Sequence, residues 1–142
     1  MNIEKNQFKS NIAKLTKLLI DSLNSSDKNS LLLNFKINEC IYNEINEDLQ
    51  DYTGTSIGDG GIKLECDYNE KNILIFDEKH IGDEKRNIEV QFNGESGDLS
   101  CYRVLAPIFI NDITDCLTIS YFVFVDENGK IKENQYLNIE MM

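Results

Sequence analysis

CLTISYFVFVDENGKIKENQYLNIE, residues 116–140, is the stretch that decides the fold. Both halves, Cys116–Val125 and Ile131–Glu140, run at a period near 2, which predicts two strands. Between them Asp126-Glu127-Asn128-Gly129-Lys130 carries Asn-Gly, the strongest short hairpin signal a sequence offers. Working backwards, the same period predicts strands at Leu99–Ile110, Ile88–Asn93, Asn72–Asp77 and Ile62–Tyr68. Asn93-Gly94-Glu95-Ser96-Gly97-Asp98 and Asn69-Glu70-Lys71 supply short connections. Pro107 marks a bend or an edge, because proline cannot donate to the ladder. Short connections between neighbours predict an antiparallel meander, since parallel pairs need a crossover of a dozen or more residues.

The first third of the chain reads differently. From Lys5 to Asn24, Phe8, Ile12, Leu15, Leu19 and Leu23 form one stripe of a 3.6-period helix. The run Asn24-Ser25-Ser26-Asp27 should stop it, because these side chains compete for the backbone. Such a Lys-bearing amphipathic helix could lie on a membrane; its ordinary role is to cover one face of a sheet. Leu31, Leu33, Phe35 and Ile37 alternate with Leu32, Asn34 and Lys36, which predicts a strand. Residues 40–49 are open between a strand running to about Ile45 and a short helix, since Ile41, Ile45 and Leu49 recur every fourth residue. Asp51–Gly61, with four glycines, reads as a loop. The expected architecture is α+β in a single domain, 1–142: an N-terminal amphipathic helix packed on a mainly antiparallel sheet of six or seven strands.

Composition narrows the function. A chain of 142 residues can bury a core without a disulfide or metal staple. Fourteen basic residues against 25 acidic give a net charge of −11, which disfavours direct nucleic-acid binding and docking on anionic lipid. Asn, Ile and Lys supply 47 residues while alanine occurs only at Ala13 and Ala106, the signature of A/T-rich coding DNA. Cys40, Cys66, Cys101 and Cys116 contain no C-x-x-C pair, so a knuckle-type zinc site is not expected. The start Met1-Asn2-Ile3-Glu4-Lys5 has no apolar export region, and no apolar run approaches the length of a membrane span. The expectation is a cytoplasmic protein with reduced thiols.

Catalytic patterns fail on context. Gly54-Thr55-Ser56-Ile57-Gly58 matches a nucleophile elbow, but it follows no buried strand and precedes Asp59-Gly60-Gly61, a poor helix start. Asp77 and His80 would complete a formal triad in a chain too short for that hydrolase sheet. His80, the one histidine, lies in a polar connection and reads as a solvated loop residue. As a base it would need a nucleophile or orienting carboxylate within reach. The glycine-rich segment lacks the Gly-Lys-Ser/Thr ending of a phosphate loop. Twelve residues on from Asp51 stands Ile62, where a calcium loop needs glutamate. No cofactor and no metal site are expected.

Charge is distributed unevenly. Residues 1–36 carry a net +3 and residues 37–142 a net −14. Between Ile37 and Ile62 stand Glu39, Glu44, Glu47, Asp48, Asp51 and Asp59 with no lysine or arginine. A solvated acidic face is the ordinary explanation. The functional one is a surface for a basic partner, made of these acids with Tyr42 and Tyr52. In this character the whole chain resembles the immunity proteins of bacterial toxin systems, above all those of contact-dependent growth inhibition. The resemblance carries no motif. It implies a cytoplasmic, non-catalytic α+β protein that binds a basic toxin domain, a nuclease, and covers its active site. A phage-encoded acidic inhibitor of a host defence nuclease shares the same physics. A small enzyme using His80 is the third reading. Self-association is left open by the sequence.

Overall fold

The computed structural model describes residues 5–53, 64–65, 68, 71, 73–75, 87–110 and 116–141. Helix α1 spans Lys5–Asn24, as its apolar spacing predicts. Phe8, Ile12, Leu19 and Leu23 of its stripe are fully buried, and Leu15 is half-buried at the margin. The next segment departs from expectation. Lys28–Phe35 is a two-turn helix, α2, and not a strand. Asp27 caps it by accepting from the Ser30 N–H at 3.1 Å, and Lys36 ends it in the left-handed region at φ 56°. Leu31 and Phe35, one turn apart, face the core, while Leu32 and Leu33 are exposed. Helix α3 spans Glu39–Thr53, so residues 40–49 are helical and Asp51–Thr53 belong to the helix, where a loop was expected.

Six strands follow: β1 (Leu64–Glu65), β2 (Ile73–Ile75), β3 (Ile88–Ser96), β4 (Leu99–Ile110), β5 (Cys116–Val125) and β6 (Ile131–Met141). The sheet runs in the order β2-β3-β4-β5-β6, with β3 to β6 an antiparallel meander. The expectation of neighbouring antiparallel pairs fails at β1 and β2. β2 lies parallel to β3, and residues 76–87 provide the dozen that such a crossover needs. β1 pairs with β4 and not with β2.

β4 therefore has a divided edge, with β3 along Leu99–Leu105 and β1 along Phe109–Ile110. Pro107 falls in the break between them. Its carbonyl accepts from the Tyr68 hydroxyl at 2.6 Å. In a strand a residue's N–H and C=O point to the same side, so the missing donor faces the break and costs no ladder bond. The Asn24 side chain closes the structure at β1: its amide donates to Leu64 O and accepts from Leu64 N–H, both at 2.8 Å.

The helices contribute to one core with the buried face of the sheet: Tyr102, Val104, Ala106 and Ile108 of β4 beside Leu117, Ile119, Tyr121, Val123 and Val125 of β5. Phe8 packs against Tyr102 and Phe35 meets Tyr121 edge-on at 5.6 Å. Tyr121 Oη lies 2.7 Å from Thr16 Oγ1, which donates to Ile12 O at 2.9 Å. All these polar atoms are buried and partnered, as a dry interior requires.

Candidate functional site

Helix α3 is capped by Asn38, whose side chain accepts from the Ile41 N–H at 2.9 Å and so satisfies one of the orphan donors of a helix start. Tyr42, Ile45 and Leu49 are buried on its inner side. At about 100° per residue, Glu44, Glu47, Asp48 and Asp51 fall within an arc of roughly 100° on the far side. All four are exposed. Among the described residues none of the four has an ion-pair partner.

This face violates local helix rules. Glu44–Asp48 and Glu47–Asp51 are like charges four apart, and Glu44–Glu47 and Asp48–Asp51 are like charges three apart. Each such pair costs an isolated helix about 0.2–0.5 kcal/mol. The last turn carries no basic residue, and Asp51 sits at the negative end of the helix dipole, where cations are favoured. A helix chosen for stability alone would interleave lysines here.

The other predicted site residues are placed as follows. Glu39, in the first turn, is exposed and pairs with Lys28 at 2.9 Å. That hydrogen bond and the carboxylate charge together hold the Lys28 ammonium above the ordinary lysine pKa. Tyr42 does not face outward. Its ring is buried, its hydroxyl donates to Ser26 Oγ at 2.9 Å, and Lys28 Nζ stands 5.2 Å from the ring centroid. Tyr52 lies in the last turn of α3. Asp59 lies outside the described residues, as do Ser56, Asp77, His80 and Cys66. The thiols of Cys40, exposed, and Cys101, buried, are both free.

At the start of α3, a cleft of about 340 Å³ is lined by Leu31, Leu32, Ile37 and Tyr42 together with the Lys28–Glu39 pair. Leu33, 84% exposed, stands next to it on α2. Sequence reading missed these leucines because it placed them on a strand. Their signal was the one-turn spacing of Leu31 and Phe35 after an Asp27 cap. No group of three or more metal-ligating side chains occurs among the described residues, and no described helix is long and apolar enough to cross a membrane. No family model, curated protein or solved structure matches the chain.

Proposed function

We propose that this chain is an immunity protein, acting in the cytoplasm, that binds a basic toxin domain, a nuclease, and covers its active site or substrate surface. The observation that carries this reading is the outer face of α3: four carboxylates, unpaired among the described residues, on one arc of one helix, held there against the helix's own electrostatic preferences. Natural proteins break local rules chiefly at functional sites. An unneutralised carboxylate row complements the positive charge of a surface built to hold phosphates, and it steers encounter from a distance. Leu32 and Leu33, exposed on α2, offer apolar surface of the kind that governs dissociation more than association.

The test is co-expression with the product of the gene immediately upstream, followed by binding kinetics at two salt concentrations. A complex should form. Its association should slow by at least about tenfold at low salt when Glu44, Glu47, Asp48 and Asp51 are changed together to Gln or Asn, with a flatter salt dependence. Absence of a complex would sink the immunity reading. A complex with unchanged association rate and salt slope would remove this face from it.

A further inference from the structure

Lys14 of α1 lines a second cleft. The cleft measures about 570 Å³ and lies between α1 and the β5–β6 hairpin. Leu15, Leu18 and Ile131 contribute its apolar lining, and Lys14, Lys130 and Asn134 its polar groups. Three observations set it apart from ordinary surface. Leu18 is 38% exposed and Leu15 only half-buried, although both extend the helix stripe that elsewhere packs on the sheet. Lys14 and Lys130 are exposed ammoniums with no ion-pair partner among the described residues, in a chain with 25 acids. Asn134 Oδ1 is buried and receives no hydrogen bond among the described residues, a state that buried polar atoms rarely keep.

We infer that this cleft is a binding site for a small organic anion with an apolar body: a carboxylate, sulfonate or phosphate head between Lys14 and Lys130, its body on Leu15, Leu18 and Ile131. Its volume falls in the range of small-molecule sites, and a few convergent polar groups over an apolar floor is their usual make-up. Two ammoniums fix the sign of the ligand. The amphipathic floor excludes simple inorganic anions as preferred occupants, because they gain nothing from the leucines. The acidic face of α3 takes no part, so this site stands or falls independently of the toxin-binding reading.

Titration of the isotopically labelled protein with naphthalene-2-sulfonate, followed by NMR, tests it. Saturable shifts should appear at Leu15, Leu18 and Ile131. Changing Lys14 and Lys130 together to Ala should weaken binding about tenfold, the scale of losing two charge-assisted contacts. Leu18→Asp, at an already exposed position, should abolish it without unfolding the chain. Lys17→Ala is the control, since Lys17 pairs with Asp21 outside the cleft, and it should leave affinity unchanged. The neutral analogue 2-naphthalenemethanol should bind at least tenfold more weakly. Equal binding of the neutral analogue, unchanged affinity in the double lysine variant, or binding only to phosphatidylglycerol vesicles and not to the free sulfonate would each overturn the inference.

Discussion

Neutralising the α3 quartet should make the protein more stable, and the size of the gain follows from the geometry. Glu44→Gln, Glu47→Gln, Asp48→Asn and Asp51→Asn keep side-chain shape and, by residue type, helix propensity. Four like-charge contacts at three- and four-residue spacing are removed, worth about 0.2–0.5 kcal/mol each. Relief of Asp51 at the helix C-terminus adds roughly 0.3–1 kcal/mol. Discounted for solvent exposure, the expected gain is about 1–2 kcal/mol at low ionic strength, or roughly 3–6 °C in Tm for a chain of this size. Urea unfolding of both proteins in low salt and in about 1 M NaCl is the assay. At the higher salt the Debye length falls to about 3 Å, so the two unfolding curves should converge. A quartet variant as stable as the parent at low salt, or less stable, would refute the claim that this face strains its own helix. With that strain gone, so would be the reason for reading the face as functional.

Three other outcomes are expected. Tyr121→Phe and Thr16→Val should each cost about 1 kcal/mol. The double variant should cost less than their sum, because it orphans no buried hydroxyl; strict additivity would mean that the 2.7 Å contact is not a coupled bond. Leu19→Ala should cost about 2–5 kcal/mol through lost burial and a cavity, whereas half-buried Leu15→Ala should cost less than half as much; equal losses would misplace the helix face. Cys40, exposed, should alkylate at the rate of a free thiol. Cys101 should react only as the sheet opens, because burial pushes its pKa up against a weaker opposing hydrogen bond from Asn93. Time-resolved mass spectrometry separates the two, and equal rates in the native protein would contradict a closed sheet.

The strands from β3 to β6 were legible because each is long enough for several cycles of a two-residue period, and Asn128-Gly129 fixes the last turn. Helix α1 was legible for the same reason at 3.6 residues. Helix α2 was not, because eight residues bury only Leu31 and Phe35, and two points fit a period of 2 as readily as one of 3.6. The broken path through β1 and β2 was illegible because nothing local says that Leu64 will join β4 and be clamped by Asn24. At the candidate site the acids were visible as composition. That four of them share one arc depended on α3 being a helix, which the four-residue recurrence of Ile41, Ile45 and Leu49 left open. Tyr42 looked available because tyrosine serves interfaces and cores alike. Its inward direction follows from its place on the Ile45–Leu49 side of the helix.

The contact between Thr16 and Tyr121 spans 105 residues, and it sets a timetable for synthesis. The three helices leave the ribosome before any strand they cover. The apolar stripe of α1 lacks its full platform until β4 and β5 have been made, roughly 5–20 seconds later at ordinary elongation rates. The β3–β6 meander, by contrast, closes through short turns and can form as soon as it emerges. The later-made strands are thus the template on which the earlier-made helices fold. In the interval Phe8, Ile12, Leu19 and Leu23 are open to chaperones and to one another, which makes the nascent N-terminal half the stage at which slow translation or crowded expression would lead to aggregation.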